Sequence, residues 1–176
     1  NYIVDELLNA SHEPHVLVRP QNTSKLIQSD KCIVYSGYIE KETVIMEMLE
    51  NANAVIYNIG LIRQFPKKGI TFEKLHYEGV KRTVKLAETA GVKRYILMSA
   101  NGVNMQGTPY QTTKYLAEQL LKNSTLDWTI FRPSLIFGDP RGTIEFCTQL
   151  KKDMLGLPIP APLFFNGLIP KNAGSF

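Results

Sequence analysis

The stretch GTPYQTTKYLAEQLL, residues 107–121, sets Tyr110 and Lys114 four positions apart. On an α-helix that spacing puts both side chains on one face, a turn apart. A phenol with a pKa near 10 exchanges protons poorly at neutral pH. An ammonium beside it favours the phenolate, lowers that pKa and turns the pair into a general acid–base device. The helix that would carry them has clear start signals. Thr108 suits the N-cap, Pro109 the first helical position, and Gln111 completes a Thr-x-x-Gln capping box. The spacing alone is a weak signal. A chain with 8 tyrosines produces it by chance, and a second copy, Tyr77 and Lys81, stands in HYEGVK. Only position in the fold separates a reactive pair from two residues sharing a helix face.

Other chemistries find little support. His12, His15 and His76 lack zinc-site spacing and read as surface or core histidines. Cys32 and Cys147 are too few for a disulfide framework. A reducing compartment is therefore expected: the cytoplasm, or an organelle matrix or stroma. The net charge of +4 comes from scattered lysines and arginines, so no nucleic-acid partner is expected. No targeting segment and no bilayer-length apolar run is visible. A chain of 176 residues with 44% hydrophobic and 20% charged content reads as one soluble domain with a real core.

Short apolar runs alternate with helical patterns. Strands are expected at 15–20 (HVLVRP), 31–37 (KCIVYSG), 53–60 (NAVIYNIG), 93–100 (KRYILMSA) and in the first half of 126–138 (LDWTIFRPSLIFG). Helices are expected at the start, with an apolar stripe of Ile3, Val4, Leu7 and Leu8, then at 42–52, at 71–91 and from Tyr110 on. The 71–91 helix carries Phe72, Leu75, Val80, Val84 and Ala87 as its stripe and stops at Gly91. This alternation predicts an α/β fold, a doubly wound parallel sheet of Rossmann type. Such a sheet needs a central strand before the first helix, and the twelve glycines include no Gly-x-Gly-x-x-Gly cluster. The first strand and its phosphate loop are expected upstream of residue 1. The apolar segment 155–170 reads as a lid, a docked segment, or a loop covering the core.

NYIVDELL, VLVRP, AVIYNIG, GVKRTVKLAETAGVKRYILMSA, YQTTKYLAEQLL and WTIFRPSLIFG occur in an order that resembles the short-chain dehydrogenase/reductase superfamily. The resemblance is to its extended and atypical branch, which includes NmrA-like regulators and the NAD(P)-binding accessory subunit of respiratory complex I. It covers residues 1 to about 140 as a cofactor-binding domain. Residues 141–176 resemble the beginning of the family's smaller substrate-binding or lid region.

The resemblance implies a site. Tyr110 heads the helix where the family's catalytic tyrosine lies, whereas Tyr77 falls in mid-helix on the preceding crossover and reads as surface or packing. Lys114 would also bond the nicotinamide ribose. The family's hydroxyl donor corresponds to the segment Ser99-Ala100-Asn101. Ser99 survives, as a site residue or as a strand-end residue bonded to backbone, while Asn101 takes the usual catalytic slot. Arg19, with Ser24 and Lys25 as helpers, implies NADP by accommodating a 2′-phosphate, with NAD as the alternative; its other reading is a solvated strand cap. Gly60 would let the backbone approach the cofactor. Tyr38 stands where an acid usually meets the adenine. Pro133 and Ser134 would meet the carboxamide, and Arg132 reads as structural. The implied function is an NAD(P)-binding protein, either an NADP-dependent oxidoreductase or epimerase acting on an unidentified small molecule, or a non-catalytic regulator, assembly factor or complex subunit. Partners implied with it are a second copy of the chain or a larger protein complex.

Overall fold

Near-continuous apolar runs form five short strands, β1 (His15–Val18), β2 (Ile33–Ser36), β3 (Ala54–Tyr57), β4 (Arg94–Met98) and β5 (Asp127–Phe131). Between them lie helices α1 (Tyr2–Asn9), α2 (Glu42–Leu49), α3 (Gly79–Thr89) and α4 (Pro109–Lys122). The computed structural model describes residues 2–26, 29–136 and 138. The chain divides into two units, Asn1–Pro133 and Ser134–Phe176. Everything below concerns the first unless stated; Cys147 and the segment 155–170 lie outside the described residues.

All strand pairings are parallel. β1 pairs with β2, with Val18 opposite Ser36; β3 pairs with β4 and β4 with β5, with Leu97 opposite both Tyr57 and Ile130. The described strands thus form two sheets, β1-β2 and β3-β4-β5. Set against the doubly wound order 3-2-1-4-5-6, they fill every place except that of the central strand, and the break falls there. The α/β class, the strand positions and the helix positions agree with the sequence reading. The strands are shorter than expected, since the flanking residues at either end make no ladder pairing. Ile3, Val4, Leu7 and Leu8 of α1 are only half-buried. The core lies between α2, α3, α4 and the larger sheet, with Ile45, Val80, Ala87, Tyr95 and Leu121 almost wholly enclosed.

One feature departs from the expected helix at 71–91. Glu73–Glu78 is a π-helical turn, and only from Gly79 is the helix regular. The Gly79 amide donates to Lys74 O, five residues back. The Tyr57 hydroxyl, at the end of β3, donates to Leu75 O at 2.7 Å. Gly79 is what makes room. A Cβ built there would overlap the Tyr57 hydroxyl and come within 3.2 Å of its Cζ. Because Tyr57 is buried, its ring cannot swing aside. Gly79→Ala is expected to cost about 1–3 kcal/mol of stability. Adding Tyr57→Phe should recover part of that loss, since it removes the overlapping oxygen. Urea denaturation of both single variants and the double variant reads the coupling, and additive effects would show that the hydroxyl is not the obstacle.

Candidate functional site

The capping box at the head of α4 is present in both directions. Gln111 N donates to Thr108 Oγ1 at 3.4 Å and Thr108 N donates to Gln111 Oε1 at 2.8 Å. Gln111 Nε2 also reaches Gly102 O at 2.8 Å, which ties the loop after β4 to the helix. This start fixes Tyr110 in the first turn and Lys114 one turn on.

Lys114 is only 7% exposed. Its Nζ donates to Met98 O at the carboxyl end of β4, at 3.0 Å, and lies 5.8 Å from the Tyr110 ring centroid. Burial lowers its pKa to about 8, opposed by the nearby Glu118 carboxylate. A Cβ on Gly60 would come 3.8 Å from the same Nζ and meet nothing else within 4 Å. A small cavity of about 10 Å³, room for one water, is walled by Lys114, Ser99, His76, Ile59 and Ala117 together with apolar core residues. Ser99 is 4% exposed, and its Oγ has no hydrogen-bond partner among the described residues. It nonetheless stands close enough to Glu118 to help hold that carboxyl ionised.

The Tyr110 ring is half-buried, edge-on to Phe72 and His76, and lies outside the cavity wall. Burial raises its pKa. That is opposite to the direction expected from the neighbouring ammonium. The cause is desolvation of the half-buried ring; the ammonium itself donates to Met98 O.

At the carboxyl end of the smaller sheet, Arg19 is exposed. Asn22 presents its amide oxygen to that guanidinium, at 2.9 and 3.3 Å, once its amide is assigned by hydrogen bonding. Tyr38 donates to Gln21 Oε1 at 3.2 Å, linking the segments after β2 and β1. Asn101 is exposed, and its backbone N–H donates to Pro133 O at 2.9 Å. Pro133 ends the first unit and Ser134 begins the second. Ser99, Gly60, Lys114 and Tyr110 are therefore one neighbourhood. Arg19 stands at the end of the other sheet.

Two residues were not singled out by sequence. Glu118, one turn beyond Lys114, is completely buried. It takes a two-pronged bond from Arg132, through Nε at 2.9 Å and through Nη2 to Oε2. Burial raises its pKa, but Arg132, Ser99 and Lys122 win and keep it below the usual carboxylate range. Arg132 is thus structural, as its place after β5 suggested. The second is His76, whose ring bonds both Leu61 and Thr113. Tyr77 instead lies half-buried with Lys81 Nζ 6.0 Å from its ring centroid, away from the Lys114 neighbourhood.

These residues fit a dinucleotide. Gly60 leaves its backbone approachable, Lys114 has N–H groups beyond the one given to Met98 O, and the buried Ser99 hydroxyl, beside the Glu118 carboxyl, makes no full hydrogen bond among the described residues. The sequence model of a family described as NAD(P)H-binding matches residues 1–160. The uncharacterized sugar epimerase YhfK of Bacillus subtilis is 28% identical over 102 residues, covering 54% of this chain and 48% of that protein. The mitochondrial NADH-ubiquinone oxidoreductase 40 kDa subunit of Neurospora crassa is 31% identical over 85 residues, covering 48% of this chain and 22% of the subunit. The chain thus spans about half or less of these relatives' length. A solved putative NAD-dependent epimerase/dehydratase from Bacillus halodurans superposes with a TM-score of 0.66 at 26% identity, covering 78% of this chain and 66% of that one. The Bordetella bronchiseptica enzyme WbmH, solved with NAD+, shares the fold with a TM-score of 0.72 at 17% identity, covering 88% and 57%. Among the described residues, no helix is long and apolar enough to cross a membrane.

Proposed function

The chain belongs to the NAD(P)H-binding family, in the atypical branch of the short-chain dehydrogenase/reductase type, and on that premise we propose that it is an NADP-dependent oxidoreductase or epimerase working through Tyr110 and Lys114. The observation that carries this reading is the Lys114 ammonium, buried at the carboxyl end of β4 beside Gly60 and an orphan Ser99 hydroxyl. A buried ammonium is costly unless something uses it, and the carboxyl ends of the strands are where a doubly wound sheet takes its ligand.

When bound, the nicotinamide supplies the hydride. Lys114 would hold the ribose, and Gly60 and Pro133 would line the dinucleotide. Ser99 would orient the substrate carbonyl, and the Tyr110 phenol would give its proton to the carbonyl oxygen. The phenolate left behind regains its proton from solvent.

Arg19, supported by Asn22, would hold a 2′-phosphate. NADPH is therefore expected to bind more tightly than NADH. Arg19→Glu should erase that preference through a loss in NADPH affinity of about 10- to 100-fold, the worth of a charge-assisted bond. Titrating both proteins with each nucleotide tests the cofactor reading, and equal affinity of the unaltered protein for the two would remove Arg19 from the site.

A second reading rests on Asn101, which is exposed in place of the usual hydroxyl. It makes the protein a non-catalytic NADP(H) holder, serving as a regulator, assembly factor or complex subunit. Tight NADPH binding without turnover of aldehydes, ketones or nucleotide sugars would favour it.

A further inference from the structure

The buried ring of His76 touches both segments that flank Lys114. Leu61 N donates to its Nε2 at 2.9 Å, so Nε2 carries no proton. Its Nδ1 lies 3.3 Å from Thr113 Oγ1. That hydroxyl has its own acceptors, Pro109 O at 2.8 Å and Tyr110 O at 3.2 Å, and is therefore free to accept from the ring. The hydrogen-bond pattern thus assigns the neutral Nδ1–H tautomer. Phe72 stacks on the ring at 5.2 Å between centroids, and Tyr110 meets it edge-on at 5.2 Å. His76 is 2% exposed and shares the cavity wall with Ser99 and Lys114.

We propose that His76 is a positioning residue, a clamp whose two ring nitrogens and one face hold the Gly60–Leu61 backbone and the Tyr110 ring in a single arrangement about Lys114. The proposal rests on the cofactor reading above. Each contact goes to a segment of the site: Nε2 to the loop after β3, Nδ1 to Thr113 beside Lys114 on α4, and the ring to the phenol. An apolar ring or chain of similar bulk would fill the core equally well but hold neither segment. Burial and the Lys114 charge both favour the neutral ring that this bonding requires.

The test compares His76→Leu, which keeps bulk and loses both bonds, with His76→Gln, which keeps an acceptor and a donor. The leucine variant is expected to bind NADPH about ten-fold more weakly and to expose the Leu61 amide to hydrogen exchange. The glutamine variant is expected to recover most of both. Wild-type NADPH affinity and Leu61 protection in a folded leucine variant would overturn the proposal, as would equal losses in both variants, which mark a packing role alone. Should the leucine variant fail to fold, the ring nitrogen shifts of the unaltered protein decide: a neutral Nε2–H tautomer overturns the clamp. A wild-type protein that binds no NADPH sinks the cofactor reading, while Leu61 exchange still decides whether His76 holds the loop.

Discussion

Tyr110→Phe is expected to lower kcat by about 10²- to 10⁴-fold, the worth of a positioned general acid, with NADPH affinity unchanged. The substitution removes one oxygen and keeps the ring. The ring is what packs edge-on against Phe72 and His76, so α4 and its first turn should persist. The raised pKa sets a direction as well. A phenol held in its protonated form suits carbonyl reduction, in which it gives a proton. The reverse, oxidation of an alcohol, needs the phenolate and should gain rate as the pH rises. Steady-state turnover in both directions, with NADPH titration of wild type and variant, measures all of this. Undiminished turnover in the phenylalanine variant would take Tyr110 out of the chemistry.

Lys114→Met is expected to make the protein more stable and a worse binder. An ordinary lysine titrates near 10.5, whereas this one, desolvated in the fold, titrates at about 8. Between those values the unfolded chain holds a proton that the folded chain has released, so stability rises as pH climbs through the window. Below about pH 8 the folded state carries the whole cost of the buried charge, about 3 kcal/mol for a shift of this size. Methionine fills similar space without the charge, and Glu118 keeps Arg132 as its partner. After allowing for the lost bond to Met98 O, a gain of about 1–3 kcal/mol at pH 7 is expected. The variant should also lack the rise in stability between pH 8 and 10. Above pH 10 the buried phenols of Tyr57 and Tyr95, raised by desolvation, pull the other way as the unfolded chain ionises first. NADPH affinity should fall about 10- to 100-fold, the worth of charged hydrogen bonds. Urea denaturation over the pH series, beside an NADPH titration, reads both effects. A destabilised variant with intact binding would make Lys114 a packing residue.

Much of this was written locally in the sequence. The capping box, the Tyr110–Lys114 stripe and the order of strands all depend on residues within a few positions of one another, and each stands where local rules put it. Gly91, at φ +75°, ends its helix as a glycine can. What the sequence did not show depends on distant partners. Glu118 continues the Tyr110–Lys114 stripe one turn on, yet nothing nearby in sequence announces that Arg132, arriving with β5, will neutralise it. The sign of the Tyr110 shift depends on burial of its ring, which packs against Phe72 and His76. His76 read as an ordinary core or surface histidine because its partners, Leu61 and Thr113, lie 15 and 37 residues away and the π turn that carries it was not expected. A trace of that turn was present: the apolar stripe steps by five from Leu75 to Val80, where a regular helix steps by three or four.

The wide turn at Glu73–Glu78 also makes residue count a constraint of its own. Each residue of a helix advances its phase by about 100°. Removing one residue there would restore a regular spiral at no cost in composition. The wide turn already absorbs the extra residue, so Phe72 and the chain leading into it would stay near their present phase, and only the residues inside the turn, His76 among them, would move. Substitutions in this segment therefore test single contacts, whereas a one-residue deletion is expected to shift His76 and so weaken its hold on the loop after β3 and on α4 together.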